Sequence, residues 1–356
     1  MKKTLKLAAA ASVIAVPAYA DIVPVVHSTL NNMENPLYLP TKHTFYSKLS
    51  NGLMLKVADD SKAHKLKNHD GEIEFPIIRI QEELGFGITD RWAVHGSVQY
   101  THNDDIGRTG LSAGRLGTTY RLLNTHNGFV WDMYGDLHLG GIGEMRGQYN
   151  ISGLNQQNPL ASNPVGIFDY DNYSNGMWGF HVGTKFGKTW NRLTTSAFVE
   201  VLRTFGDDNT RIRVVGADQP SKLVLAGINA PSEISVEMKS TTEVNAGANV
   251  FYQWTDSWSS GLWFKYNHHA DQGVEKITTK MPNVQAAMIA AGLEQKLENL
   301  KDGFDEYIVG LSVANQLTEH AQIALYGEYT FDTAHKMSQN GTDAKVEAGV
   351  RLNFRF

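Results

Sequence analysis

The clearest pattern in the chain is at its end, residues 344–356, where apolar and polar positions alternate without a break. Val346, Ala348, Val350, Leu352, Phe354 and Phe356 hold one parity; Lys345, Glu347, Gly349, Arg351, Asn353 and Arg355 hold the other. A period of two puts each row on its own face of a β-strand, so one face meets an apolar medium and the other meets water. Eleven further stretches carry the pattern, near 43–57, 75–88, 91–102, 111–122, 128–139, 177–188, 191–203, 240–254, 258–269, 305–316 and 320–332. Their connections alternate between short, as at 89–90, 189–190 and 255–257, and long, with 140–176, 204–239 and 270–304 the longest. This ladder predicts an all-β chain: a membrane-spanning antiparallel up-and-down β-barrel of about 12 strands, apolar outside and polar inside, with short periplasmic turns and long outer loops.

Aromatic residues fix the orientation. Phe86, Trp92, Phe186, Trp190, Trp254, Trp258, Phe354 and Phe356 crowd near the short turns or the C-terminus, where an interfacial girdle belongs. Thr89-Asp90-Arg91-Trp92 and Thr255-Asp256-Ser257-Trp258 share one spacing, which predicts one turn chemistry used twice.

The first residues read differently. Lys2, Lys3 and Lys6 precede a short apolar run and Ala18-Tyr19-Ala20, the pattern of a secretory signal peptide over 1–20, cleaved near Ala20. Its removal takes away three lysines and moves the formal net charge from −5 to −8, which argues against a nucleic-acid partner. There is no cysteine, hence neither a disulfide framework nor a lipoprotein attachment site. Residues 21–42 form a lead-in with Pro24, Pro36 and Pro40, and Asn35-Pro36-Leu37-Tyr38-Leu39-Pro40 does not suit a central strand. Two placements fit it: a periplasmic tail, or a segment tucked into the barrel mouth. The barrel and its loops then occupy 43–356.

Parity also sorts the charged residues. The inward-facing basic positions are Lys48, Lys56, Arg79, Arg115, Arg121, Lys185, Lys265, Lys345, Arg351 and Arg355; the acidic ones include Glu83, Asp132, Asp136, Glu200, Glu306, Glu328 and Glu347. His95, His138, His181, Tyr134 and Tyr326 share the same face. Arg115 and Arg121 run beside Asp132 and Asp136, and Glu328 beside the strand of Arg351, as wall-stabilising salt bridges. Closure of the last strand on the first gathers Lys48, Lys56, Arg79, Lys345, Arg351 and Arg355 into a basic strip, which would attract anionic solutes. Residues 282–301 read as a helical insert in an outer loop, with Pro282 in its first turn and Gly303 past its end.

Catalytic chemistry is thin. His102-Asn103-Asp104-Asp105 and Asp332-Thr333-Ala334-His335 sit at outer strand ends and resemble the rim groups of omptin-type outer-membrane proteases. The spacings are not that family's motif, and omptins have ten strands. The expectation is no enzyme, no catalytic residue, no metal and no cofactor. With its signal peptide, its twelve-segment ladder, the Gly87-Ile88-Thr89-Asp90-Arg91-Trp92 turn and a terminal Phe356, the chain resembles the small monomeric outer-membrane channels of Gram-negative bacteria. That resemblance implies passive diffusion of a small solute class, contact with outer-membrane lipid and lipopolysaccharide, and hand-over to the barrel assembly machinery through the C-terminal strand. The alternative is an outer-membrane enzyme or a surface adhesion barrel working through its loops.

Overall fold

The computed structural model describes residues 28–58, 77–103, 108–139, 144–150, 165–171, 177–205, 210–215, 232–270, 274–279, 303–332 and 342–356. Among the described residues, seventeen strands follow a short 3₁₀ helix, Ser28–Asn31. Twelve of them close the barrel: β1 (Phe45–Ala58), β2 (Ile77–Thr89), β3 (Trp92–Asn103), β4 (Arg108–Asn124), β5 (Phe129–His138), β8 (Gly179–Trp190), β9 (Leu193–Thr204), β12 (Thr242–Gln253), β13 (Trp258–His269), β15 (Phe304–Gln316), β16 (Ala321–Asp332) and β17 (Thr342–Arg355). Each pairs antiparallel with the next, and β17 returns to β1 in a register from Tyr46↔Arg355 to Val57↔Ala344. All twelve amphipathic stretches of the sequence are these twelve strands.

The other five strands lie in the outer loops: β6 (Glu144–Asn150), β7 (Val165–Asp171), β10 (Thr210–Val215), β11 (Ser232–Met238) and β14 (Val274–Thr279). They pair in the order β6-β7-β10-β11-β14 and join the barrel wall where Thr109 of β4 meets Arg146. Each of these segments is too short to show a periodic pattern, so the alternation in the sequence does not predict them. The helical insert expected at 282–301 lies outside the described residues, as do the signal peptide expected over 1–20 and the Asp104, Asp105 and His335 rim positions.

The outer face is apolar. Leu84, Leu116, Leu137, Val182, Val199, Leu262, Leu311 and Leu325 are all exposed on it, as a wall bathed in acyl chains requires. Trp92 donates outward from its ring to Thr118 Oγ1 at 2.6 Å, and Trp131 to Thr184 Oγ1 at 2.7 Å, so each indole N–H is satisfied by the adjoining strand.

The short turns are built from hydroxyls. Thr89 Oγ1 accepts from the N–H of Arg91 (3.2 Å) and Thr255 Oγ1 from that of Ser257 (3.2 Å), the shared chemistry expected for the two Thr-Asp turns. Thr318 repeats it with His320 at 3.2 Å. At the β8–β9 turn the left-handed residue is Asn191, φ 51°, a residue type that tolerates that conformation.

Candidate functional site

The interior of the barrel is divided in two. Across the short-turn end runs the lead-in, residues 28–42, which sits inside the barrel rather than trailing from it. Leu37 and Val130 are fully buried and, with Leu30, form the one apolar cluster found among buried described residues. Each leucine side chain taken out of water contributes roughly 1.5–3 kcal/mol. The segment is therefore driven in by its own small core.

Polar contacts then fix its position against nearly the whole circumference. Thr29 Oγ1 donates to the Asn191 carbonyl (2.7 Å), and Asn35 Nδ2 donates to Thr194 Oγ1 on β9 (2.9 Å). Asn32 accepts from Gln322 on β16 (2.9 Å) and donates to Ser259 on β13 (3.3 Å). Three cations of the wall donate to its backbone carbonyls: Arg121 to Leu37 (2.6 Å), Lys185 to Pro36 (2.9 Å) and Arg355 to Asn31 (3.2 Å). A proline-containing segment that cannot join a ladder leaves carbonyls unpaired, and buried carbonyls must find donors. Long basic side chains reaching in from the strands supply them.

One acidic side chain of the lead-in completes the seat. Glu34 receives Arg351 Nη1 at 2.8 Å and Asn353 Nδ2 at 2.7 Å, both from β17. Tyr38 packs edge-on against Tyr46 of β1 at 5.8 Å, with Lys48 Nζ 5.4 Å from its ring centre. Burial pushes the Tyr38 phenol up to about 12, so the ring beside Lys48 is neutral. Tyr46 lies across Gly85, where any Cβ would overlap its ring, and donates to Glu83 at 2.8 Å.

Toward the loop end the walls pair with themselves. On one side His181 bridges Asp136 (2.6 Å) and Glu200 (3.2 Å), while Tyr134 donates to Glu200 at 2.6 Å. On the opposite side Arg79 meets Glu347 (2.9 Å), Tyr326 donates to Glu347 (2.9 Å), and Lys265 stands 3.7 Å from Glu328. Near the outer rim His269 lies between Glu243 (3.2 Å) and Glu306 (3.1 Å). A cavity of about 120 Å³ opens among Met54, Arg79, Glu306, Ile308, Glu328, Thr330 and Glu347.

Each expected site residue can now be placed. Arg121 and Asp132 form a two-pronged ion pair (2.8 and 3.0 Å) buried at the short-turn end. Arg115 stands opposite His138 in the β4–β5 register, and Asp136 opposite Gly117. Arg351 turns to Glu34, and Glu328 to Lys265 and to Trp263 Nε1 (2.9 Å), so these two do not form the pair expected between them; Ala324, not Glu328, is the cross-strand neighbour of Arg351. Of the basic strip, Lys48, Arg351 and Arg355 engage the lead-in and Arg79 engages Glu347. Lys56 and Lys345 face each other in the β1–β17 register. The residues missed were Asn32, Glu34 and Asn35. Their signal in the sequence was a polar, proline-flanked stretch too short to span a membrane.

No family model matches the sequence, and no curated protein matches it. Solved structures do. An outer membrane channel from Pseudomonas putida F1 superposes with a TM-score of 0.51 at 10% identity, covering 94% of this chain and 100% of that one. The deltaS2 mutant of the TodX monoaromatic hydrocarbon channel gives 0.50 at 8% identity, covering 90% and 91%. The NanC porin covers 86% of this chain and 98% of its own, at a TM-score of 0.41 and 7% identity. At such identities the likeness is one of architecture: the chain has the fold of the outer-membrane β-barrels, in a closed twelve-stranded form.

Proposed function

We propose that the chain is an outer-membrane, porin-like diffusion channel for small hydrophilic solutes, with a lean toward anions. The observation that carries this reading is the interior above the lead-in, where charged and hydrogen-bonding side chains face a central space while large apolar side chains face outward. Such a wall is favourable only around water or a polar solute. The anion lean rests on Lys56 and Lys345, directly opposite each other across the seam, with Arg79 on the adjacent strand. A solute arriving from outside passes these positions, then the Arg79–Glu347 cavity, and last the lead-in across the periplasmic mouth. Passage requires that segment to shift. On this reading the protein resides in the outer membrane after cleavage near Ala20, embedded in lipid and lipopolysaccharide, and is delivered through the strand ending at Phe356. No residue is assigned a catalytic role.

The test is single-channel conductance and reversal potential of the mature protein in a planar bilayer under a salt gradient. Discrete open steps with an anion-favouring reversal potential are expected, with the preference reduced in a Lys56→Glu, Lys345→Glu variant. A cation preference removes the anion lean and leaves the channel. A correctly folded barrel that never conducts, with or without its lead-in, removes the channel itself.

A further inference from the structure

On the outward face the charged side chains Lys188, Arg203 and Asp305 stand within two residues of their strand ends. Glu82 does not. The outward row of β2 reads Ile78, Ile80, Glu82, Leu84, Phe86, so two apolar residues flank the carboxylate in each direction. It lies four positions from Phe86 at the turn end, roughly 10 Å in height on a tilted strand, which is near the middle of an apolar band about 25 Å tall. A carboxylate at that depth facing acyl chains is costly, and such residues mark function or contact.

Leu49 on β1 and Val98 on β3 stand directly across from Glu82, but its diagonal neighbours on β1 are polar. Ser47 of β1, outward on the same face, donates to Glu82 Oε1 at 2.6 Å. Asn51, two positions further in Ser47's row and one beyond Leu49, is exposed, and its amide has no partner among the described residues. On β3 the exposed Val98 stands opposite Glu82, and Gly96 stands opposite Leu84. The result is a small polar patch of Ser47, Asn51 and Glu82 set in an apolar wall.

We infer that this patch is a contact between two copies of the chain. It holds a donor and an acceptor, each with unused capacity: the Asn51 N–H groups and the second oxygen of Glu82. They sit on adjacent strands, Leu49 opposite Glu82 and Asn51 opposite Ile80, an offset of two residues or roughly 5 Å along the tilted strands. A twofold axis along the membrane normal keeps that difference in height, which the Asn51 and Glu82 side chains span toward each other, so one surface satisfies itself twice. Lipid tails offer neither group a partner.

The chain has no cysteine, so introduced disulfides are unambiguous. Two differently tagged full-length copies are co-expressed, one carrying Asn51→Cys and the other Glu82→Cys, and the outer membranes are oxidised. A dimer bearing both tags is expected, and none from Val199→Cys on the far wall. The native mass of the unmodified protein in mild detergent should be that of a dimer, and Glu82→Leu should weaken the dimer about tenfold or more, as loss of hydrogen bonds to a charged group implies. Should Glu82→Leu fail to fold, Asn51→Leu removes the same contact from the other side. A monomer mass without a mixed disulfide, or a dimer indifferent to both leucine variants, overturns the inference.

Discussion

The two ends of the barrel interior use the same kind of residue for opposite purposes. At the short-turn end the basic side chains point at backbone: Arg121, Lys185 and Arg355 hold the carbonyls of Leu37, Pro36 and Asn31, and Arg351 holds Glu34. At the loop end the basic side chains point at other strands of the wall: Arg79 at Glu347 and Lys265 at Glu328, each two strands away, and His181 at Asp136 and Glu200 on the adjoining ones. The first set holds a segment that is no part of the sheet; the second holds the wall. On the channel reading proposed above, a barrel charge is therefore identified as gating or structural by its partner, and not by its sign or its parity.

The largest effect should come from removing the first partner entirely. A mature chain lacking residues 28–42 should keep its barrel, because all twelve strands pair without it, and should conduct in long, high-conductance openings where the intact protein shows brief or small ones. Planar-bilayer recordings decide this, and identical traces from the two proteins would mean that the lead-in does not obstruct flow.

Next is Arg121→Ala, which strands a buried Asp132 and the Leu37 carbonyl together. Breaking a buried pair from one side costs roughly 3–5 kcal/mol. Thermal or urea unfolding in detergent should show a loss of that order, and Arg121→Met with Asp132→Leu should recover most of it. Glu34→Gln is gentler: it keeps the shape and removes the charge facing Arg351. A loss of one to two kcal/mol changes a two-state ratio by a factor of roughly 5–30, so the open fraction should rise by that factor with barrel stability unchanged. Smallest is Arg79→Gln. Arg79 is about a third exposed, and partly solvated pairs contribute little, about 0–1 kcal/mol. It should leave stability near its starting value and move only the reversal potential, away from anions.

The fold was legible because a lipid-facing wall imposes one rule on every strand. Apolar and polar residues must alternate for the length of the membrane, and Val346 to Phe356 shows it directly. The turn chemistry was legible for the same kind of reason: Thr89 and Thr255 act on residues two positions away. What the sequence did not show is what reaches across the barrel. Glu34 and Arg351 are each an ordinary charge in their own neighbourhood, and nothing local says that they meet. The loop strands were hidden differently, since β6, β7 and β10 are short and pair with each other above the membrane, where no solvent contrast patterns them. Glu82 breaks the alternation at one position, and it took the neighbouring strands to show that Ser47 and Asn51 break it beside it.

The seat of Glu34 also fixes an order of events in the making of this protein. Its two side-chain partners lie 317 and 319 residues further along the chain, on β17. The lead-in precedes every strand of the barrel in the chain, yet its binding place does not exist until β17 has docked against β1. Seating the lead-in consequently follows closure of the seam, and it can succeed only in a barrel whose seam has closed in register. Every earlier intermediate is unplugged, and a chain with a misregistered seam would remain so.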